Sequence, residues 1–92
     1  MKPLEGITVL EFSTMITASF AAMMMAEQGA KVIKVEPMNV GDPMRYIGAN
    51  KGGISSLFAN CNRGKQSIRV NLKESEGQEL IRELIPQVDI FI

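Results

Sequence analysis

The sequence predicts an α/β fold built on a parallel sheet, and three observations carry that prediction. Ala18 to Gln28 is rich in strong helix formers and runs into Gly29, a residue suited to a left-handed helix end. Lys31 to Glu36, Lys-Val-Ile-Lys-Val-Glu, follows at once with the β-branched residues of a strand. Ile7 to Phe12 supplies another strand ahead of the helix. Strand, helix and strand in such quick succession imply a right-handed crossover and parallel pairing. Units of this kind hold nucleotide-bearing ligands at the ends of their strands.

The remaining elements follow in order. A turn at Glu5-Gly6 opens the first strand, and Ser13 to Thr17 is a short polar loop before the helix. Thr17 or Ser19 is the natural N-cap there, and the helix N-terminus gathers unpaired N–H groups that suit a phosphate. In the helix, Phe20 to Ala26 is apolar all round, without a polar stripe. Such a helix is normally buried on every side, so a second domain or subunit is expected against it. The consecutive methionines are read as packing rather than metal ligation. Pro37 to about Asn60 is irregular, broken by prolines and glycines, and a loop that long usually serves a function or rests on something else. Ser67 to Leu72 alternates as a half-buried third strand. Ser75 with Gln78 reads as a capping box opening a helix whose apolar face is Leu80, Ile81, Leu84 and Ile85. Pro86 ends it, and Val88 to Ile92 begins a fourth strand.

Bulk properties narrow the function. Ninety-two residues make one small domain or part of a larger one. Ten basic and ten acidic side chains balance, so no net field draws the chain to nucleic acid or anionic lipid. Cys61 stands alone, which forbids an intramolecular disulfide and points to a reducing cytoplasm. Met1 to Gly6 lacks the apolar core of a signal peptide, and Phe20 to Ala26 is far shorter than the roughly 20 residues of a membrane span. Histidine is absent, leaving carboxylates, lysines, Tyr46 and Cys61 for any acid–base chemistry.

Two places suggest a ligand. Glu36 ends its strand where an acid often meets a ribose, although acids on solvated strand ends are common; Arg45, beyond the Gly41-Asp42-Pro43 turn, is read as reaching an anion or as a surface ion pair. Arg63 and Lys65 flank Gly64 just before the third strand, a pattern that brings backbone and cations to a phosphate, set against the ordinary reading of solvated turn residues. Cys61 beside them is read as a small buried residue. No Gly-x-Gly-x-x-Gly and no Walker lysine is present.

Pro3-Leu4-Glu5-Gly6-Ile7-x-Val9-Leu10, the Gly-Ala-x-Val-Ile-Lys-Val-Glu ending at Glu36, Gly41-Asp42-x-x-Arg45 and Asn62-Arg63-Gly64-Lys65-Gln66-Ser67-Ile68 resemble, in order and spacing, the start of the class III coenzyme A transferases. This is the family of formyl-CoA transferase, carnitine CoA-transferase and α-methylacyl-CoA racemase. The resemblance implies a Rossmann-like large domain of which residues 1–92 are the incomplete N-terminal portion, in two subunits interlocked like chain links. It implies coenzyme A, as substrate or acyl-CoA, beside Ile16 and Thr17, Pro37, and Val70, Asn71, Leu72 and Lys73, with Arg63 and Lys65 as candidate phosphate contacts. It also implies acyl transfer between carboxylic acids through an aspartyl acyl anhydride. That aspartate would lie beyond Ile92, so no catalytic residue and no metal ligand is expected in this chain.

Three positions depart from the family pattern. Thr17-Ala18-Ser19 replaces Ala-Gly-Pro, Pro37 replaces an arginine, and Asn71 replaces the acid of Asp-Leu-Lys. They motivate the alternatives of a non-catalytic CoA-binding or subunit-interaction protein; a racemase fragment and an unrelated nucleotide-binding domain complete the set.

Overall fold

A computed structural model describes residues 1–92. Strand β1 (Thr8–Glu11) leads into α1 (Thr17–Glu27) and β2 (Lys31–Glu36). A 3-10 turn (Pro43–Tyr46), a hairpin of β3 (Asn50–Lys51) and β4 (Ile54–Ser55), and α2 (Ser56–Cys61) follow. Then come β5 (Gln66–Arg69), α3 (Ser75–Leu84), a second 3-10 turn (Ile85–Gln87) and β6 (Ile90–Phe91).

The main sheet runs β5-β2-β1-β6, and every pairing in it is parallel. Val9 lies opposite Val32 and Ile90, so the first crossover places β2 on one side of β1 and the last strand on the other. Alternation then sorts the side chains between two layers. Val9 and Val32 pack with Ala22 and Ala30 on the α1 side. Leu10 and Val35 pack with Val70 and Ile81 on the α3 side. Helices on both faces of an open parallel sheet are the Rossmann-like arrangement the sequence predicts.

Gly29 has φ +105° and takes the left-handed place after α1. Other local expectations are corrected. Neither Thr17 nor Ser19 caps α1: Ile16 is the N-cap and offers no side-chain acceptor. The capping box at Ser75 does not form, because Glu74 is the N-cap and the register is one residue off; Gln78 instead donates from Nε2 to the Leu72 carbonyl at 2.9 Å. The segment 37–60 is not loop throughout, since its 3-10 turn, hairpin and α2 are each only a few residues long. Their hydrophobic periods are too short to read. The third strand ends at Arg69. Val70 still donates its amide to the Glu36 carbonyl at 3.1 Å and packs in the core, while Asn71 and Leu72 lie outside the strand. On α1, Ser19, Ala22 and Met23 are buried while Ile16, Phe20 and Met24 are about half exposed, so one apolar side of the helix lies open.

Candidate functional site

The upper half of the sheet on its α1 face is polar. β1 continues from Val9 to Glu11 and β2 from Val32 to Lys34 and Glu36, with the same side-chain period, so three charges point at the layer that α1 covers. All three are essentially without solvent contact. Burial at that level requires partners, and the structure supplies them. Lys34 Nζ donates to Glu11 Oε2 at 3.0 Å, to the Ser13 carbonyl at 3.1 Å and to Ser19 Oγ at 3.1 Å. It also pairs with Asp42 Oδ2 at 2.9 Å. Lys65 Nζ reaches the other oxygen of Glu11 at 2.7 Å and donates to the Ser19 carbonyl at 2.8 Å and to Asn62 Oδ1 at 2.7 Å. Glu11 Oε1 and Asp42 Oδ2 meet these ammoniums as ion pairs without hydrogen-bond alignment. Burial pushes the pKa of Lys65 down, and its contact with Glu11 works against that shift.

Glu36 is the second anchor. Its carboxylate accepts two bonds from Arg45, both at 2.7 Å, one from the Asp42 amide at 2.7 Å, and one from Ser67 Oγ. Burial alone would raise its pKa; the bonds from Arg45, Ser67 and Asp42 outweigh that and hold it at about 2. Arg45 is raised in turn, first by its hydrogen bond to Glu36, and its guanidinium carbon sits 4.0 Å from the centre of the Phe58 ring. Glu36 is therefore occupied within the fold and presents no free carboxylate to a ribose.

The two anchors bracket residues 37–41, whose loop is closed by a bond from the Gly41 amide to the Pro37 carbonyl at 3.1 Å. This loop forms one wall of a groove of about 530 Å³ at the C-terminal ends of β1, β2 and β5. Phe12 and Val35 line its inner part, and Val70 to Lys73 form the opposite wall. Phe12 is backed by Phe91 of β6, with ring centres 5.0 Å apart. Lys73 is exposed at the rim and takes part in no ion pair. The groove thus joins an apolar interior to a cation whose charge is not neutralised by a neighbour.

Of the residues singled out from sequence, the groove gathers Pro37, Val70, Asn71, Leu72 and Lys73. Ile16 and Thr17 are exposed at the start of α1 and do not line it. Arg63 is exposed on the far side of the β5 entry and pairs with Glu27 at 3.2 Å. Lys65 is the clear departure from a solvated phosphate contact, because its amino group is enclosed and engaged by three protein acceptors. Sequence reading assigned Glu11 and Lys34 no part in a buried ionic network, and it took Asp42 only as part of a turn and of the family's Gly-Asp-x-x-Arg. The available signal was the run Val32-x-Lys34-x-Glu36 in a strand bound for the middle of a sheet, where alternate charges on the helix-covered face must be paired.

The model of CoA-transferase family III matches residues 4–92, nearly the whole chain. The chain belongs to CoA-transferase family III. Among curated members of the family, the chain is 39% identical to succinyl-CoA:glutarate CoA-transferase of Homo sapiens over 93 residues, covering 100% of this chain and 21% of that protein. It is 38% identical to formyl-CoA:oxalate CoA-transferase of Escherichia coli over 91 residues, covering 98% of this chain and 22% of that protein. Among solved structures, a CAIB/BAIF family protein from Brucella suis superposes with a TM-score of 0.88 at 34% identity, over 98% of this chain and 25% of that one. The chain therefore spans about a fifth to a quarter of the length of the family III relatives it matches.

Proposed function

We propose that this chain contributes the coenzyme A-binding frame of a family III transferase that moves CoA between carboxylic acids through an aspartyl acyl anhydride, with the nucleophile outside residues 1–92. The observation that carries the reading is the groove at the parallel strand ends, in a chain of this family. Its apolar inner part suits a flat heterocycle, and Lys73 at the rim suits a phosphate. The loss of the family's arginine at Pro37 and of the acid at Asn71 shifts recognition toward apolar contact and this lysine. No helix of the chain is long and apolar enough to cross a membrane.

The open apolar side of α1, with Ile16, Phe20 and Met24 at successive four-residue steps, is read as the contact for the remainder of a subunit or for a second, interlocked subunit. A thermal-shift panel tests the ligand class: CoA is expected to raise the midpoint more than ATP or NAD at equal concentration. Preference for ATP or NAD would favour an unrelated nucleotide-binding role. Residues 1–92 are expected to transfer no acyl group from an acyl-CoA to a carboxylate, and sustained turnover by the purified chain would overturn the placement of the nucleophile.

A further inference from the structure

Asp42 stands at the meeting point of the two loops that border the strand ends. Its Oδ1 accepts from the Met44 amide at 3.0 Å, which starts the 3-10 turn after the groove wall. The same oxygen accepts from the Met15 amide at 3.2 Å, across 27 residues of sequence, in the loop between β1 and α1. Met15 is the one non-glycine residue with positive φ, at 65°. A methionine holds that conformation only where its surroundings fix it, and the bond to Asp42 is such a constraint. The other oxygen, Oδ2, faces Lys34 at 2.9 Å, and the Asp42 amide donates to Glu36 at 2.7 Å. The polar groups of this fully buried residue thus join three segments: the β1–α1 loop and the 3-10 turn through Oδ1, and β2 through its two buried charges.

We propose that Asp42, countered by Lys34, is a positioning residue: it locks the β1–α1 loop to the 37–41 wall so that the groove is set for CoA before the ligand arrives. The inference rests on the CoA reading of the groove for its functional part and on the loop contacts for its structural part. Preset geometry lowers the ordering cost of binding, so loss of the lock weakens affinity without removing a ligand contact. Asp42 itself does not line the groove.

Two readouts on the whole 92-residue chain separate these parts. Hydrogen exchange compares Asp42→Ala with the unchanged chain. Amides of Met15 and of Gly41, which is bonded to Pro37 and not to the Asp42 carboxylate, are expected to exchange at least tenfold faster, with the Leu10 and Val32 strand amides unchanged. Equal acceleration across the sheet, or an unchanged Gly41, overturns the lock. Calorimetric titration with CoA is then run at matched folded fraction beside Val32→Ala, a cavity variant in the core distant from the groove. A tenfold or greater rise in Kd for Asp42→Ala alone is expected, and an equal rise for Val32→Ala overturns positioning. Asp42→Leu, which also removes both carboxylate oxygens but keeps the buried volume, replaces the alanine variant if that does not fold, with the same direction expected. If the unchanged chain binds no CoA, the functional reading fails, and hydrogen exchange still decides the lock.

Discussion

Lys34 shows how one side chain can commit a chain to a local arrangement. It is about 1% exposed and meets two carboxylates, Glu11 and Asp42, which are 0% exposed. Lys34→Met leaves both acids with Lys65 as the remaining nearby cation, bonded to Glu11 only. Removing one partner of a buried ion pair costs about 3–5 kcal/mol, so the urea midpoint is expected to fall by that equivalent. A change below about 1 kcal/mol, the size found for exposed pairs, would contradict the buried network. Glu36 gives a pH signature. Its native pKa is about 2 against 4.5 in the absence of the fold, so between those values the unfolded chain holds more protons. The stability it contributes is present above pH 4.5 and is lost as pH falls through the window toward 2. Glu36→Gln is expected to lower stability at neutral pH and to flatten this acid limb in denaturation curves taken at stepped pH. A mutant curve parallel to the original would contradict the assignment.

Helices α1 and α3 bury themselves by different means, and each carries a prediction. Gly77 in α3 lies so close to the chain before it that an added Cβ would stand 2.1 Å from the Asn71 carbonyl oxygen and 3.1 Å from Val70 Cγ1. Helix propensity favours alanine there by about 1 kcal/mol, but overpacking against backbone costs about 1–3 kcal/mol and pushes on the groove rim. Gly77→Ala is therefore expected to lower the urea midpoint, and a rise would show that the close approach is slack. Met24 on α1 is 52% exposed, so Met24→Glu is expected to change stability by less than about 0.5 kcal/mol. If this side of α1 is the proposed contact with a second subunit, the same variant reduces any self-association of the chain seen in sedimentation velocity, and unaltered association would remove it as a subunit–subunit contact. Legibility in the sequence followed element length. The second strand has the predicted bounds, Lys31–Glu36, because six residues of β-branched pattern stand between two clear breaks. The hairpin and α2 were missed because pieces this short carry no period of their own and are held by contacts such as Ser55 Oγ to the Ile47 carbonyl at 2.6 Å. The capping box failed for a similar reason: the turn from the Glu74 amide to the Asn71 carbonyl starts α3 one residue early.

The molecule as a whole is an under-covered layer. Its accessible surface is 5825 Å², above the roughly 5300 Å² expected for a compact monomer of its mass, and its dimensions are 39 × 37 × 20 Å. Only 18 of 92 residues are buried, which leaves two small four-residue clusters, one on each face of the sheet, to hold the fold. The ionic layer of Glu11, Lys34, Asp42, Lys65, Glu36 and Arg45 takes over at the strand ends, where most of the apolar core stops. Half of the candidate site was readable because the family resemblance pointed to Pro37 and to Val70 to Lys73, which follow β2 and β5 in the structure and line the groove. The ionic half was not, because pairing among Glu11, Lys34, Asp42 and Lys65 depends on how four separate segments meet. The central claim is that the groove framed by these loops receives coenzyme A. Calorimetric titration of the chain with CoA, repeated with Lys73→Glu, tests it most directly: saturable binding that weakens at least tenfold in the variant is expected, whereas no binding, or binding of equal strength in both, would contradict it.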